Sequence, residues 1–419
     1  MRASNDYRDL LFPLDHPRLA GLHHLSTREY GVAAREVPLL NDLITHWQTL
    51  ATQPFHGLTC DGTCEHGLFA LEDEGAPVLE ATAAATALLT SLDGNKKVKL
   101  LFPLDAPQWR VWSNPEVLFN DYGLRMEDES ETTRMLIMGI VAASLGDRGH
   151  AKAQGCMRTN AFLGQLTNLP NIMNEWSYNF LIFGDPSSNE PWGWNLYGHH
   201  LCLNCFFVGG QMVVSPIFMG AEPNIIDSGP HIGTKLFTTQ EQVGLALMQS
   251  LSPELHAKAQ IFEHMHDEPT KPKGRWHPAD GLHLGGAFQD NRIVPYEGIP
   301  MDALNERQRS QLLEVADAFL DVLPDGPRAR RLEQIERHFD RTWWSWIGGS
   351  GDEDPFYYRI QSPIIMLEFD HHPGIWLNNQ LPSKCHIHTV IRTPNGNDYG
   401  KDLLRQHYEV THPGAAPGR

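Results

Sequence analysis

The stretch LCLNCFFVGGQMVVSPIF, from Leu201 to Phe218, is the centre of the clearest β signal in the chain, which extends from Tyr197 to Gly220. Its two apolar runs meet at Gly209-Gly210, and such runs about a glycine pair are typical of a β-hairpin. Further strands are predicted over residues 356–360, 364–369 and 386–391. Because hairpin-like neighbours pair antiparallel, the sequence predicts an α+β fold with mainly antiparallel sheet flanked by helices.

Apolar spacing predicts helices over residues 36–52, 76–92 and 127–146, the last ending at Gly146 as at a C-cap. A further helix is predicted from Thr238, with Ser/Thr capping chemistry, to about Leu251. Two more are predicted within 301–340, and a short one over 402–408. The alternating run from Lys97 to Leu104 is predicted as a strand or a sheet edge. We expect an N-terminal extension (1–34), a single α+β domain (35–410) and a C-terminal tail (411–419).

The composition excludes several classes of protein. The 419 residues carry a net charge of -18, which argues against a nucleic-acid surface because such a surface needs a basic patch. The N-terminus is polar, and no apolar run reaches membrane-spanning length. Six cysteines are too few for a disulfide scaffold, and Cys60 and Cys64 form at most half of a zinc site. We therefore expect a cytoplasmic protein with no membrane partner, and leave its oligomeric state open.

Histidines gather at two points in the predicted sheet. Gly198-His199-His200 opens one strand-like run, and His386-Ile387-His388 lies in another. Side chains at i and i+2 of a strand share a face, so His386 and His388 are predicted to project together. Imidazoles collected on strands are typical of a transition-metal site.

Carboxylates precede the second histidine group. Glu368 and Asp370 share a face of their strand, and a loop of about fifteen residues would let that strand pair with the one carrying His386 and His388. Two histidines and a carboxylate, with a third nitrogen from the histidine pair at 199–200, suit Zn(II) or Fe(II). We therefore expect one divalent transition metal. The predicted ligands are His200, Glu368, His386 and His388.

Other polar residues near these strands are candidates for catalysis. Glu222 closes the first hairpin and is a candidate base, and His199 is a candidate proton shuttle. In the turn after the last strand, Arg392 is a candidate for gripping an anionic substrate group, and Asp398 or Tyr399 for moving protons. The alternative is that this segment is only a turn, in which Arg392 bonds Asp398 or a carbonyl.

His371 and His372 precede Pro373-Gly374. We interpret them as a solvent-facing turn that does not bind the metal.

At these residues the chain resembles the domain-of-unknown-function 3500 family, over about residues 35 to 410. The matching stretches are Phe183 to Pro186, Trp192 to Trp194, Gly198 to His200, Pro216 to Pro223, Tyr357 to Ile360, Glu368, His386 to His388, Arg392, and Asn397 to Gly400. The chain departs from the pattern at His371 and His372, where other residues are expected. The resemblance implies no activity.

Three functions are consistent with the residues. The first is a metal-dependent hydrolase or C–C bond-cleaving lyase that acts on a small carbonyl-containing molecule. An aromatic molecule is one option for this substrate. The second is a non-heme iron oxygenase that uses the same ligands. The third is a binding protein without catalysis. A His-Glu-x-x-His helix, a phosphate-binding loop with Lys and a Gly-x-Ser-x-Gly elbow are all missing from the sequence, which argues against those enzyme classes.

Overall fold

The computed structural model describes residues 4–266, 275–277 and 280–411. Within these residues the helices are α1 (Thr27–Ala34), α2 (Pro38–Ala51), α3 (Val78–Ser91), α4 (Gly94–Leu100), α5 (Glu131–Leu166), α6 (Thr238–Gln249), α7 (Pro253–Ala259), α8 (Glu306–Leu320), α9 (Asp325–Arg337) and α10 (Lys401–Thr411). Short 3₁₀ turns lie at Tyr7–Leu10, Pro107–Arg110, Met126–Asp128, Met301–Ala303, Phe339–Arg341 and Asp398–Gly400.

The strands of the described residues form one sheet. They are β1 (Leu101–Phe102), β2 (Leu124–Arg125), β3 (Tyr178–Phe183), β4 (Trp192–Gly198), β5 (Leu201–Val208), β6 (Gln211–Ala221), β7 (Gln260–Phe262), β8 (Ile299–Pro300), β9 (Trp343–Gly348), β10 (Phe356–Gln361), β11 (Met366–His371) and β12 (Ile387–Arg392). Their order is β1-β3-β4-β5-β6-β12-β11-β10-β9-β7, with β2 beside β3 and β8 beside β9.

The α+β class is confirmed, although the sheet is mixed. Only β1 with β3 and β7 with β9 pair parallel among the described strands. The predicted hairpin about Gly209-Gly210 is β5 and β6. The predicted pairing of the Glu368 strand with the His386–His388 strand is that of β11 with β12. β12 also pairs with β6, and this joins the two histidine-bearing parts of the sheet.

Helices cover one face of the sheet. Trp194 of β4 donates its indole N–H to Ser144 of α5, and Tyr358 of β10 donates to a carbonyl of α6 and packs on Phe319 of α8. Irregular segments, together with α1 and α2, cover the opposite face, where Trp109 stacks on Phe183. The candidate site lies on this second face. Irregular segments there can leave cavities and backbone N–H groups available to side chains, whereas a helical layer packs closely and pairs its own N–H groups.

Several local predictions are corrected. In the run from Lys97 to Leu104, the first four residues belong to α4, because Asp93 caps that helix by accepting from the amide of Lys96, and only Leu101–Phe102 joins the sheet edge. The helix predicted over 127–146 begins at Glu131 and is interrupted at Gly146, as predicted, because that residue has a non-helical φ of +70°; a second helical segment then continues α5 to Leu166. Phe237, in left-handed conformation, precedes α6, and no side chain caps that helix. Residues 412–419 of the predicted tail lie outside the described residues.

Candidate metal centre

Three imidazole nitrogens meet at one point on the second face of the sheet. The Nε2 atom of His386 lies 2.9 Å from that of His388 and 3.1 Å from that of His200, and the third side of the triangle is 3.2 Å. Tetrahedral coordination with metal–nitrogen bonds of 2.0–2.1 Å places nitrogens about 3.3 Å apart. The three atoms are therefore spaced nearly as a single metal ion would require.

The β4–β5 hairpin places His200. His199 and His200 form its two-residue turn, between the paired residues Gly198 and Leu201. His200 has a φ of +59°, a left-handed conformation that is uncommon for residues other than glycine. Backbone hydrogen bonds from His200 N to Asn114 and from Gly220 N to His200 O hold the turn.

Because Gly220 has no side chain, the imidazole rings of His200 and His388 can approach each other beside it. It pairs with His388 across β6 and β12. A Cβ atom at Gly220 would lie 2.9 Å from Cδ2 of His388 and 3.0 Å from Cδ2 of His200. Contacts this short force a shift, so the glycine is required by the close packing of the imidazoles.

A carbonyl fixes the tautomer of His386. Its Nδ1 donates to the carbonyl oxygen of Pro373 at 2.7 Å, so in the neutral ring the lone pair lies on Nε2, which points at the other histidines. Burial, together with the neighbouring histidines, lowers the pKa of each of the three rings well below its usual value. All three rings are therefore neutral near pH 7, as metal coordination requires.

Glu222 lies behind His386, where it is 1% exposed. Its Oε1 accepts the amides of Ile375, Trp376 and Leu377 and lies 3.8 Å from Nδ1 of His386. Burial raises its pKa to about 7. Glu222 thus holds the segment that carries the Pro373 carbonyl, so its contacts are those of a positioning residue instead of a base facing substrate.

His199 stacks on His200, with ring centroids 4.0 Å apart. The amide of Asn160 donates to Asn174 and Ser177, which turns its oxygen toward Nδ1 of His199 at 2.8 Å. His199 is therefore protonated on Nδ1, and its Nε2 lies 4.0 Å from Glu116. Burial lowers the pKa of His199 to about 4, so the ring is neutral near pH 7 and a weak base.

The structure does not bring Glu368 to the three imidazoles. Among the described residues, the metal-compatible group within 4.8 Å consists of the histidines alone. The Glu368 carboxylate instead accepts the amides of Leu284 and Gly285 and the hydroxyl of Tyr357. Glu368 shares the face predicted for it, but it lies opposite Val390 while Asp370 lies opposite His388. Glu368 is therefore two residues further along β11 than the position opposite His388, and its three hydrogen bonds hold its carboxylate away from the cluster.

Arg392 is not at the rim of a site. Its guanidinium is fully buried and pairs with Asp290 at 2.7 Å and Asp398 at 2.8 Å. Asp398 also accepts from Ser215 and from the amide of Thr393, and Tyr399 donates to Asp290. The contacts of Arg392, Asp398 and Tyr399 are therefore those of the alternative, a turn held together by buried ion pairs, and their substrate and proton-transfer roles stay predictions.

His371 and His372 are buried, so their prediction as a solvent-facing turn is wrong. His371 accepts the amide of Phe356, on the side of the sheet away from the cluster. The ring of His372 lies beside the cluster, with its centroid 4.5 Å from that of His388. The strand pairing continues through these residues because the amide of His372 bonds the carbonyl of His386.

The three histidines open onto a cavity of about 760 Å³. Its lining is mostly apolar, and it also includes His199, Glu116 and Asn114. Glu116 and Asn114 could not be found from sequence patterns, because both lie in an irregular segment far from the histidines along the chain. The open side of the histidine cluster therefore faces a partly open cavity of ligand size.

The family model described as "Protein of unknown function (DUF3500)" matches residues 74–401. The chain belongs to this family. No curated protein and no solved structure matches the chain. No helix of the described residues has the length and apolar character to cross a membrane.

Proposed function

We propose that this member of the DUF3500 family is a zinc-dependent enzyme whose metal is held by His200, His386 and His388. The observation that carries the proposal is the triangle of Nε2 atoms, with sides of 2.9 to 3.2 Å, on the wall of a cavity. Three histidines with an open fourth position are a known arrangement of catalytic zinc.

The substrate is a small molecule with a carbonyl group, and the reaction is hydrolysis or C–C bond cleavage. A zinc ion bound there supplies a Lewis acid for the carbonyl and lowers the pKa of bound water. Of the chain's own residues, His199 lies in the cavity with an unprotonated Nε2, so it is placed to accept a hydrogen bond from a bound molecule. The Glu116 carboxylate, 4.0 Å from that nitrogen, is a second acceptor on the same wall.

The iron-oxygenase alternative loses its main support. The usual iron site of that class combines two histidines with a carboxylate, and Glu368 is engaged by two backbone amides and a tyrosine elsewhere. A purely structural role for the histidines is also disfavoured. Three neutral imidazoles that point the same ring atom at one another lack the donors to satisfy every lone pair.

Metal analysis tests the proposal. Protein purified without added metal and then reconstituted should hold about one zinc per chain, because three neutral imidazoles form the site. His388→Ala should hold less than a tenth of that amount. His371→Ala is the matched control, since this histidine is equally buried on the next strand but faces away, and it should keep the metal.

Turnover is measured on the same samples with 4-nitrophenyl acetate, a generic carbonyl substrate. Zinc-loaded protein should hydrolyse it, and His388→Ala should not. Loss of zinc in His371→Ala with retention in His388→Ala would contradict the assignment. Oxygen consumption by iron-loaded protein without zinc-dependent hydrolysis would favour the oxygenase.

A further inference from the structure

Nearly half of the residues that line the cavity come from residues 18–46, which we call the N-terminal cap. The cap precedes the part of the chain that matches the family model, which begins at residue 74. The imidazoles lie in the matched part: His388 on β12, His386 just before that strand, and His200 in the β4–β5 turn. The reactive end of the cavity and its opposite wall therefore belong to different parts of the chain.

The cap is anchored to the rest of the molecule by specific contacts. Tyr30 of α1 donates its hydroxyl to Glu116 at 2.8 Å. Gly31 packs so closely that a Cβ there would lie 2.7 Å from the carbonyl oxygen of Leu118. Just beyond the cap, the Trp47 ring of α2 stacks on Phe288, with ring centroids 5.2 Å apart. The wall is therefore part of the folded structure, with a defined position over the histidines.

The cap presents mainly carbon to the cavity, through Ala33, Ala34, Val37, Leu39, Leu40 and Leu43. Its charged lining residues, Arg18 and Asp42, are of opposite sign. A volume of about 760 Å³ lies in the range of small-molecule sites. Such a wall stabilises an apolar body by removing its surface from water and offers no net charge to attract an ionic one.

We propose that the N-terminal cap determines which substrate the histidine site accepts. It selects a molecule with an uncharged aromatic or aliphatic body and one polar, metal-binding group directed at the imidazoles. The binding of the substrate's polar group in this inference rests on the proposed zinc function. The binding of its apolar body depends only on the cap.

Two zinc-binding probes of different size test the selection. Calorimetry on zinc-loaded protein compares benzohydroxamate, which carries a ring, with acetohydroxamate, which carries a methyl group. Leu40→Gln should weaken benzohydroxamate about tenfold, since lost apolar contact of this size changes affinity by 10- to 200-fold. Acetohydroxamate should bind as before. Ala33→Trp, which fills the cavity from the same wall, should exclude the larger probe selectively.

The matched control is Val32→Gln. Val32 is also on α1 but is 68% exposed and does not line the cavity, so both probes should bind it as they bind the wild type. The proposal is overturned if Leu40→Gln and Ala33→Trp leave the ratio of the two affinities unchanged, or if Val32→Gln changes it as much.

A metal-independent measurement separates this inference from the zinc function. The neutral dye N-phenyl-1-naphthylamine should fluoresce on binding to metal-free wild type and to His388→Ala, and Leu40→Gln should weaken it in both. If zinc fails to bind while this pattern holds, the zinc function fails and the cap's role stands. If zinc and acetohydroxamate bind but Leu40→Gln leaves the affinity for the dye unchanged, the cap proposal fails while the zinc function stands.

Discussion

His386 donates its Nδ1–H to the carbonyl oxygen of Pro373 at 2.7 Å. This one hydrogen bond turns the other ring nitrogen toward His200 and His388, and Glu222 holds the segment that provides the carbonyl. Partners of this kind, one step removed from a metal, fix ligand orientation and contribute 10- to 100-fold to metal affinity.

Glu222→Ala should therefore weaken zinc binding by about 10- to 100-fold. It should also lower the free energy of unfolding by about 1–3 kcal/mol, because two buried amides and one partly buried amide lose their acceptor. Glu222→Gln keeps an acceptor oxygen and should bind zinc within a few-fold of wild type. Competition with a chromophoric chelator measures the affinities. Equal losses in the two variants would show that the charge of Glu222, and not its support of the segment, is what matters.

Gly220→Ala tests the packing of the imidazoles. The added Cβ would lie 2.9 Å from His388 and 3.0 Å from His200, so the rings must separate and the triangle of nitrogens must open. We expect at least a tenfold loss of zinc affinity, on the order of the effect of altering partners around a metal site. Gly139→Ala in α5 is the control, because a Cβ there meets nothing within 4 Å. That variant should keep zinc affinity and melt no earlier than wild type.

The strand-borne part of this site was predictable from sequence and the rest was not. The i, i+2 spacing of His386 and His388 predicted a shared face, and the Gly209-Gly210 pair predicted the hairpin that carries β6 to its place beside β12. The aromatic strands β3, β4 and β9 were missed, because runs rich in Trp, Tyr and Phe lack a clear period-2 pattern when both faces are buried.

The position of the Glu368 carboxylate, away from the histidines, depends on contacts that sequence spacing does not encode. The amides of Leu284 and Gly285, which engage it, come from a segment more than eighty residues away. The cavity wall likewise comes from α1 and α2, far from the histidines in sequence. Local patterns therefore located the ligand residues, whereas long-range packing decided which of them meet.

Lys401, at the start of α10, gives a prediction about pH. Burial lowers its pKa from 10.5 to about 8. Below pH 8 the folded protein bears the cost of the buried charge in full. Between pH 8 and 10.5 only the unfolded chain keeps the proton, so stability rises with pH over this window.

Lys401→Met should accordingly raise the free energy of unfolding at pH 7, by on the order of 1 kcal/mol. The gain over wild type should shrink as the pH approaches 10. Urea denaturation at pH 7 and pH 10 measures both differences. A gain that is the same at the two pH values would assign the effect to packing of the methionine and not to the lysine charge.

Arg392 gives the sharpest test of the distinction between site and scaffold. The guanidinium joins Asp290 and Asp398 and donates to the carbonyl of Gly285, all in buried positions. Lysine keeps the charge but cannot span both carboxylates, and it leaves one of them buried without its partner. Breaking a buried pair in this way costs about 3–5 kcal/mol.

Arg392→Lys should therefore melt well below wild type, while its zinc affinity and its Michaelis constant for 4-nitrophenyl acetate stay unchanged at temperatures where it is folded. Arg405→Lys is the matched control. This arginine also pairs with two carboxylates, but its side chain is 41% exposed, so its loss should cost no more than about 1 kcal/mol. Calorimetric melting and steady-state kinetics on the two variants separate the roles. A raised Michaelis constant without a lower melting temperature would return Arg392 to the substrate site, against the burial and ion pairs that place it in the scaffold.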